Sequence, residues 1–275
     1  MNINIRGRLF DLSKPKVMGI LNVTPDSFYD GGVHSEINNI ENHVKKMVED
    51  GMDILDIGGY SSKPGAKDIS VDEEMSRVIP TLKHIKKIFP DLVISIDTFR
   101  SKVATTSLHE GADMINDISG GTLDENMMSV IAKNNCPYIL MHMQGNPQIM
   151  QNDPRYENAT LEIIQYLAQR IKIAHDNKIV DLIVDPGFGF GKTLKHNFEI
   201  LNNLEKFNVL DVPILAGFSR KSMIYKTLKT SSDKALNGTS SLNTIALTKG
   251  AKILRVHDVK EAKECIILHE KTISS

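Results

Sequence analysis

The amino-acid sequence predicts an α/β fold, a single (β/α)8 (TIM) barrel with long loops after strands 1 and 2. Eight short apolar runs recur along the chain, and stretches with helical spacing separate them. The runs are rich in Ile, Val and Leu and mostly lack polar alternation, which is typical of parallel strands buried on both faces. The chain has 275 residues, and such a barrel typically needs about 250. We therefore expect residues 1–275 to form one domain, with a doubly wound open sheet as the alternative.

Each strand is predicted from one apolar run. The predicted strands comprise residues 17–23, 53–57, 92–96, 113–118, 137–141, 181–184, 212–216 and 252–256. Every interval between successive runs is long enough for a helix and its loops. The chain therefore supplies eight strand–helix units in one uninterrupted series, which is the arrangement of a barrel.

Helices are predicted where apolar residues recur with a period near 3.6. The predicted helices include residues 41–51, 71–89, 161–173 and 234–249. In the first, Val44, Met47 and Val48 lie at i, i+3 and i+4, so they share one face. Before the second, Ser70 and Glu73 have the spacing of a capping box.

Composition excludes several classes of protein. Lys and Arg number 33 and Asp and Glu 34, whereas nucleic-acid-binding proteins usually carry a basic excess. No stretch approaches the ~20 apolar residues of a membrane helix, and the polar start lacks the apolar core of a secretory signal. Cys136 and Cys265 are far apart and match no metal-binding spacing. We expect reduced thiols in a cytoplasmic protein with neither nucleic acid nor membrane as a partner.

Polar residues that could do chemistry follow the predicted strands at their C-terminal ends, where barrel enzymes place their sites. Asp97, Asn116 and Asp185 come at the ends of strands three, four and six, and Lys221 follows strand seven. Two carboxylates, an amide and a lysine suit a heterocycle with several N–H donors and a carbonyl acceptor, such as an amino-pyrimidine. The alternative for the two aspartates is capping of the following helix.

A second group of residues predicts an anion site. Arg255 and His257 are two residues apart on an extended segment, so both can project to one side, next to Asn22 on the first strand. Arginine is a bidentate phosphate donor, although His257 could equally be a packed or capping histidine. The segment 219–222 opens the helix after strand seven, and its free N–H groups could attract a carboxylate. An ordinary capped helix start is the alternative.

The sequence argues against a nucleotide-binding P-loop. Gly191, Lys192 and Thr193 have the ending of that motif, but Pro186 stands where its first glycine is required. The glycines of this segment more simply allow tight turns. The loops after strands one and two are long and contain Gly and Pro, which is typical of binding loops.

Six sequence blocks resemble the dihydropteroate synthase family of pterin-binding enzymes. They are MGILNVTPDSF at residues 18–28, NDISG at 116–120, MHMQG at 141–145, DPGFGFGK at 185–192, SRKS at 219–222 and RVHDV at 255–259. The resemblance implies a TIM barrel that condenses 6-hydroxymethyl-7,8-dihydropterin diphosphate with 4-aminobenzoate. The products would be 7,8-dihydropteroate and diphosphate, and sulfonamides would compete with 4-aminobenzoate. It further implies Mg2+ as cofactor and a homodimer.

The resemblance also implies a role for each matching residue. The pterin would be bound by Asp97, Asn116, Met141, Asp185, Phe190, Lys221 and Arg255. The diphosphate would be bound by Asn22, Ser62, Lys63, Arg255 and His257, and Mg2+ by Asn22. The 4-aminobenzoate would contact Ser27, Phe28, Ser62, Pro64, Ser219, Arg220 and Ser222. The residues implied to take part in catalysis are Asn22, Asp26, Lys63, Lys221, Arg255 and His257.

The chain departs from the family pattern in two places. The second loop of the family commonly reads GGESTRPGA, whereas Tyr60, Ser62 and Lys63 stand here. Lysine keeps the charge but lacks the two-pronged geometry of arginine. In the seventh loop, Phe218 replaces a usually smaller residue. We expect these changes to tune the affinity for 4-aminobenzoate and sulfonamides without abolishing turnover.

Two other functions fit parts of the sequence. A methyltransferase acting on methyltetrahydrofolate resembles this family in its barrel and pterin pocket, but it needs no diphosphate site. Arg255 and His257 therefore count against it. A pterin-binding protein without catalysis is the third possibility, and the complete set of polar residues counts against that one.

Overall fold

The computed structural model describes residues 1–24, 33–62, 67–145, 150 and 153–274, without the side chains of residues 33–36. Eight parallel strands form a nearly closed barrel, which confirms the predicted fold class. The barrel strands are β3 (Lys16–Asn22), β4 (Ile54–Gly58), β5 (Val93–Asp97), β6 (Met114–Asp117), β7 (Tyr138–Met141), β8 (Leu182–Asp185), β9 (Leu215–Ala216) and β10 (Ile253–Val256). Their order around the barrel is β8-β7-β6-β5-β4-β3-β10-β9.

The barrel closes between β8 and the segment just before β9. Val184 bridges Ile214 in the parallel direction, and the Val184 N–H donates to the Pro213 carbonyl over 2.9 Å. This contact distinguishes a barrel from the open-sheet alternative. The strand predicted over 212–216 is only two residues long in the structure. Pro213 explains part of the difference, because proline has no N–H to donate to a sheet.

Helices follow the strands and cover the outside of the barrel. They are α1 (Val33–Glu49), α2 (Val71–Ile88), α3 (Ser101–His109), α4 (Met127–Asn134), α5 (Ala159–Asp176), α6 (Leu194–Asn202), α7 (Ser222–Tyr225), α8 (Leu236–Thr248) and α9 (Val259–Ile273). Among the described residues, we find no helix with the length and apolar character needed to span a bilayer.

The predicted helix boundaries hold best where a cap marks them. Ser70 caps α2 by accepting from the Glu73 N–H, while the Glu73 carboxylate accepts from Arg77 over 2.6 Å. The N-cap is therefore as predicted, and Glu73 has another partner. Helix α1 begins at Val33, eight residues before the predicted start at Glu41. Its first two turns are mostly polar, so they lack the apolar periodicity that predicts a helix.

Two strands that the sequence analysis missed form an N-terminal hairpin, β1 (Asn2–Ile5) and β2 (Arg8–Asp11). The two-residue turn between them has positive φ at both Arg6 and Gly7, which suits the twist of a hairpin. Ile3, Ile5 and Leu12 are buried against inward side chains at the N-terminal end of the barrel. The hairpin therefore seals that end, and the alternation of Ile3 and Ile5 was the sequence signal for it.

The inside of the barrel changes from apolar to polar along the strands. Near the hairpin the inward residues are apolar, and they are Met18, Ile54, Met114, Ile139, Ile183, Leu215 and Ile253. Side chains two residues further along a strand point to the same side. On β4 and β10 that step reaches Asp56 and Arg255, which form an ion pair with each other. The polar residues of the barrel therefore gather at the C-terminal ends of the strands.

Because the hairpin closes the end of the barrel, truncating one of its buried side chains is expected to lower the stability of the protein strongly. Ile3 is 2% exposed and Leu9, on the facing strand, is 76% exposed. Ile3→Ala is expected to lower the free energy of unfolding by about 2–5 kcal/mol, because it leaves a cavity at the end of the barrel. Urea denaturation measures the change. Leu9→Ala is the control and should stay within about 0.5 kcal/mol of the parent; equal effects from both substitutions would contradict the seal.

Candidate active site

A buried arginine lies at the centre of the polar end of the barrel. Arg255 of β10 reaches across to two neighbouring strands. Its Nε donates to Asp56 Oδ2 over 2.6 Å, and its Nη2 donates to Asp97 Oδ2 over 2.7 Å. The side chain is 16% exposed. Burial opposes the charge, yet Asp56 and Asp97 raise the pKa of Arg255 above its ordinary value, so the guanidinium stays charged.

Asp56 is the member of this group that sequence analysis missed. It is 0% exposed, and its Oδ2 also accepts from Asn116 Nδ2 over 3.0 Å. The residue lies inside the apolar run predicted as strand two, where it was counted as part of the strand. The signal was present, because a carboxylate inside a buried strand is rare unless it is paired.

Asp97 and Asp185 face this group from β5 and β8. Burial raises the pKa of Asp97 to about 7, with Arg255 acting in the opposite direction. Burial also raises the pKa of Asp185, and the positive charge of Lys221 partly offsets it. Asp185 Oδ1 accepts from the Gly187 N–H over 2.7 Å. Each carboxyl group keeps one oxygen that is not used in these bonds, so both can accept from a ligand.

Lys221 completes the set from the loop after β9. Its Nζ donates to the Phe188 carbonyl over 2.7 Å and lies 4.7 Å from the centre of the Phe190 ring. Burial lowers its pKa to about 8, while Asp185 acts to raise it. Near neutral pH the residue is therefore mostly a cation, and it can donate to an oxygen or nitrogen of a ring.

An apolar cluster forms one wall beside these polar groups. Met141, at the end of β7, is buried together with Ile118 and Met143, and Phe99 and Phe190 pack against the cluster. A flat heterocycle needs apolar surface for its faces and polar groups at its edge. The structure therefore places the predicted residues Met141 and Phe190 beside the carboxylates.

Ser219 and His257 lie together at the rim. Ser219 Oγ is 3.1 Å from His257 Nδ1, and it accepts from the His257 backbone N–H over 3.2 Å. The His257 residue as a whole is exposed. Neighbouring groups nevertheless remove water from its imidazole, and this desolvation, together with the charge of Arg255, lowers the pKa of His257 below its ordinary value. The ring is therefore neutral at pH 7, as a hydrogen-bonding group and not a cation. Asn22 ends β3 and pairs in register with Gly58, next to Asp97.

Arg220 has other partners than those implied by the resemblance. Its Nε and Nη2 each donate over 2.8 Å to the Asp258 carboxylate, and its Nη1 donates to the Ser232 and Asp233 carbonyls. The guanidinium therefore joins the loops after β9 and β10. Ser222 starts helix α7, which has only four residues. The helix at which the sequence predicts an anion site is thus a single turn long.

Lys192 is a buried lysine that the sequence analysis mentioned only in rejecting a P-loop. Its Nζ lies 3.0 Å from His142 Nδ1 and donates to the Phe190 carbonyl over 2.9 Å. Burial lowers its pKa well below the ordinary value. The residue therefore holds the loop that carries Phe190. Gly187 in the same loop has φ of 73°, and a Cβ there would lie 1.9 Å from the His142 carbonyl oxygen.

Arg100 anchors both ends of the described part of the loop after β4. Its guanidinium donates to Glu74 Oε2 over 2.8 Å and to the Ile69 carbonyl over 2.6 Å. It also lies over the Tyr60 and Phe99 rings, 5.2 Å from each centre. Tyr60, one departure from the family pattern, therefore packs at the base of the loop.

The other predicted positions divide between the described and masked parts of the chain. Ser62 is half-buried at the start of the same loop. Phe218 is 0% exposed and packs edge-on against Phe188, so it lies behind the pocket. Five predicted site residues lie outside the residues that the structure describes, namely Asp26, Ser27, Phe28, Lys63 and Pro64.

Comparison with known proteins gives consistent matches. The family model for pterin-binding enzymes matches residues 18–257. Dihydropteroate synthase of Escherichia coli K12 is 42% identical over 277 residues, which span 100% of this chain and 98% of that protein. Yersinia pestis dihydropteroate synthase, solved with a sulfonamide drug, is 40% identical with a TM-score of 0.94 over 100% of both chains. The Xanthomonas albilineans enzyme with 4-aminobenzoic acid is 36% identical with a TM-score of 0.92, over 100% of this chain and 98% of that one.

The buried ion pair beside the site predicts a strong dependence on Arg100. Glu74 is 0% exposed in that pair, so Arg100→Met leaves an uncompensated buried charge and should cost about 3–5 kcal/mol of stability. Chemical denaturation measures it. Lys102→Met is the control, because the Lys102–Asp72 pair is 66% and 81% exposed and should be worth less than about 1 kcal/mol. A loss below 1 kcal/mol for Arg100→Met would refute this account.

Proposed function

The chain belongs to the pterin-binding enzyme family, and on that premise we propose that it is a dihydropteroate synthase, a transferase of folate biosynthesis. It condenses 6-hydroxymethyl-7,8-dihydropterin diphosphate with 4-aminobenzoate to give 7,8-dihydropteroate and diphosphate. The observation that carries the proposal is the group of Asp97, Asn116 and Asp185 beside the buried Arg255, in which Asp97 pairs with Arg255 and Asn116 shares Asp56 with it. It occurs in a chain that is 42% identical to a dihydropteroate synthase along its whole length.

The acceptors suit the edge of a pterin. The amino-pyrimidine part of a pterin carries N–H donors, and carboxylates and amide oxygens are acceptors. Asp97, Asn116 and Asp185 therefore bind that edge, while Lys221 donates to the ring carbonyl or nitrogen. Met141 and Phe190 supply the apolar surface against which the ring lies.

The reaction depends mainly on the leaving group. The C–O bond to diphosphate breaks, its electron pair goes to the diphosphate oxygen, and the pterin ring stabilises the positive charge on the exocyclic carbon. The aminobenzoate nitrogen then attacks that carbon, forms the C–N bond and passes one of its protons to solvent water. A departing anion of this kind is stabilised by fixed donors in a site of low dielectric. Arg255 at the centre of the site and His257 at its rim are two described residues that can donate to it.

The hydrogen bond between Ser219 and His257 bears on which ring nitrogen carries the proton. If the Ser219 hydroxyl donates to Nδ1, the neutral ring carries its proton on Nε2. His257 Nε2 then donates to the diphosphate, because the hydrogen bond made by one ring nitrogen determines whether the other is a donor or an acceptor.

The residues at the rim fit an Mg2+ that arrives with the diphosphate. In the part of the chain that the structure describes, no group of three or more His, Cys, Asp or Glu is arranged to hold a metal ion. Mg2+ usually keeps several waters and is held by one or two protein oxygens and substrate phosphates. Asn22 offers one such amide oxygen. When bound, the ion neutralises charge on the diphosphate.

The second substrate enters above the pterin. Two relatives were solved with a sulfonamide drug and with 4-aminobenzoic acid, and sulfonamides compete with 4-aminobenzoate in the proposed function. Ser219 lies on the loop after β9 and Ser222 begins helix α7, on either side of Lys221. We assign the carboxylate of 4-aminobenzoate to the Ser222 hydroxyl, with Ser62 on the opposite loop, because the one hydroxyl proton of Ser219 is used by His257. The enzyme is further proposed to act as a homodimer in the cytoplasm.

Turnover of the two substrates tests the proposed function. The purified protein is expected to release diphosphate promptly with the pterin diphosphate, 4-aminobenzoate and Mg2+, and to form dihydropteroate in equal amount. Diphosphate release is followed by a coupled assay and the product by chromatography. Omitting 4-aminobenzoate is the control and should suppress release. Failure to form dihydropteroate would refute the assignment and leave a pterin-binding protein, whereas methyl transfer from methyltetrahydrofolate would favour a methyltransferase.

The raised pKa of Asp97 predicts a pH dependence of pterin binding. The carboxylate form accepts from the ligand, and burial raises the pKa of this group to about 7. Affinity for 6-hydroxymethylpterin should therefore rise as pH increases from 5.5 towards 7.5, by up to about tenfold per unit below the pKa. Calorimetry across this range measures it. Asp97→Asn should bind more weakly with a flatter profile, and an equally steep profile in that variant would exclude Asp97 as the titrating group.

A further inference from the structure

Asp56 joins two residues that the proposed function assigns to the pterin, although no recognised sequence block includes it. Its Oδ2 accepts from Arg255 Nε over 2.6 Å and from Asn116 Nδ2 over 3.0 Å. The residue lies in the middle of β4, fully buried beneath the mouth of the barrel. A ligand in the mouth would therefore meet Asn116 and Arg255 before it could reach Asp56.

The bond to Asn116 sets the polarity of its amide. An asparagine side chain has one donor end and one acceptor end. Because Asp56 binds Nδ2, Oδ1 is left to face the ligand. In the opposite orientation Asn116 would present N–H groups to a ligand edge that is itself made of N–H donors. Asp56 therefore makes Asn116 an acceptor.

The bond to Arg255 fixes the plane of the guanidinium. Nε is held by Asp56 and Nη2 by Asp97, so two points on different strands hold the planar group. A guanidinium held in this way is pre-organised and loses little freedom when it binds a further anion or stacks on a ring. Nη1 has no partner among the described residues and is left for the substrate.

Stability alone is a weak reason for this carboxylate. Asp56 Oδ1 is buried, and within the described residues it has no hydrogen-bond partner. Burying a charge with one oxygen unpaired is costly, and replacing a buried ion pair with apolar residues often leaves stability unchanged or raises it. An unsatisfied buried group in a native structure calls for another explanation.

We propose that Asp56 is a positioning residue for pterin recognition, which orients the Asn116 amide as an acceptor and fixes the plane of Arg255. This inference rests on the proposed function, because it concerns the same pocket. Asp56 does not touch the substrate, and it acts through the two residues that do.

Asp56→Asn tests the role. It keeps the size of the side chain, removes the charge and gives the amide an N–H that competes with those of Arg255 and Asn116. The variant is expected to bind 6-hydroxymethylpterin at least tenfold more weakly in calorimetry. Its KM for the pterin diphosphate should rise by a similar factor, while its KM for 4-aminobenzoate stays within twofold. A folded variant with wild-type pterin affinity would overturn the proposal.

Asp117→Asn is the matched control. Asp117 is also 0% exposed, but its carboxylate binds Tyr138, Ser119 and Gly121 outside the pocket. It should change pterin affinity less than twofold. An equal loss in this variant would mean that pterin affinity reports general damage to the barrel, and it would overturn the specific role of Asp56.

A double-mutant cycle separates positioning from a general effect on folding. If Asp56 acts through Asn116, the effects of Asp56→Asn and Asn116→Ala on pterin affinity are less than additive. The double variant should lose clearly less affinity than the product of the two single losses, and the loss that remains beyond Asn116→Ala reports the action of Asp56 through Arg255. Fully additive losses would overturn the coupling between the two residues.

A second variant covers the case in which Asp56→Asn does not fold. Asp56→Glu keeps the charge and moves the carboxylate by one methylene group, so it should still weaken pterin binding at least fivefold. Wild-type affinity in this variant would overturn the proposal. If the wild-type protein binds the pterin but forms no dihydropteroate, the proposed function fails while these binding comparisons still decide the role of Asp56.

Discussion

The ion pairs of Arg255 with Asp56 and Asp97 are the constraint on which the site depends. A guanidinium inside a barrel is stable only if fixed negative charges face it, because removing an ion from water is costly. Here the two carboxylates come from the adjacent strands β4 and β5, while the cation comes from β10. The pairing of those strands therefore also sets the positions of the side chains that line the pocket. The remaining oxygens of Asp97 and Asn116 face the ligand.

The rest of the molecule shields these charged residues from water and fixes the loops around them. The N-terminal hairpin and the apolar layer beneath the pocket exclude water from that end, so charges in the mouth act through a medium of low dielectric. The loop after β8 is tied down by Lys192 and by the approach of Gly187 to His142. Arg220 and Arg100 do the same for other loops, through Asp258 and Glu74 respectively. The basic residues outside the pocket therefore position loops, whereas the proposed function assigns those inside it to the substrate.

Most of the barrel could be predicted from the sequence, because strands buried on both faces produce continuous apolar runs. The exceptions have physical causes. Strand β9 is short where Pro213 interrupts the donors, and the start of α1 has no apolar face to detect. The hairpin was missed because only two alternating isoleucines mark it.

The site was partly predictable for a similar reason. Polar residues just after a strand, such as Asp97 and Asp185, stand out from the sequence. Asp56 does not, because it lies within an apolar run and its role depends on partners 60 and 199 residues away. The pairing of Arg220 with Asp258 likewise requires the fold, since 38 residues separate them.

The hairpin has a consequence for the order of events in the proposed reaction. Because the hairpin closes the N-terminal end of the barrel, the substrates and products of the proposed reaction enter and leave at the C-terminal end. The pterin edge reaches the deepest polar groups, so the pterin has to arrive before the molecule that lies above it. The product is longer than either ring and leaves by the same opening, pterin end last. The closed end of the barrel therefore imposes an order of binding, the pterin first and the second substrate after it, which the chemistry alone does not require.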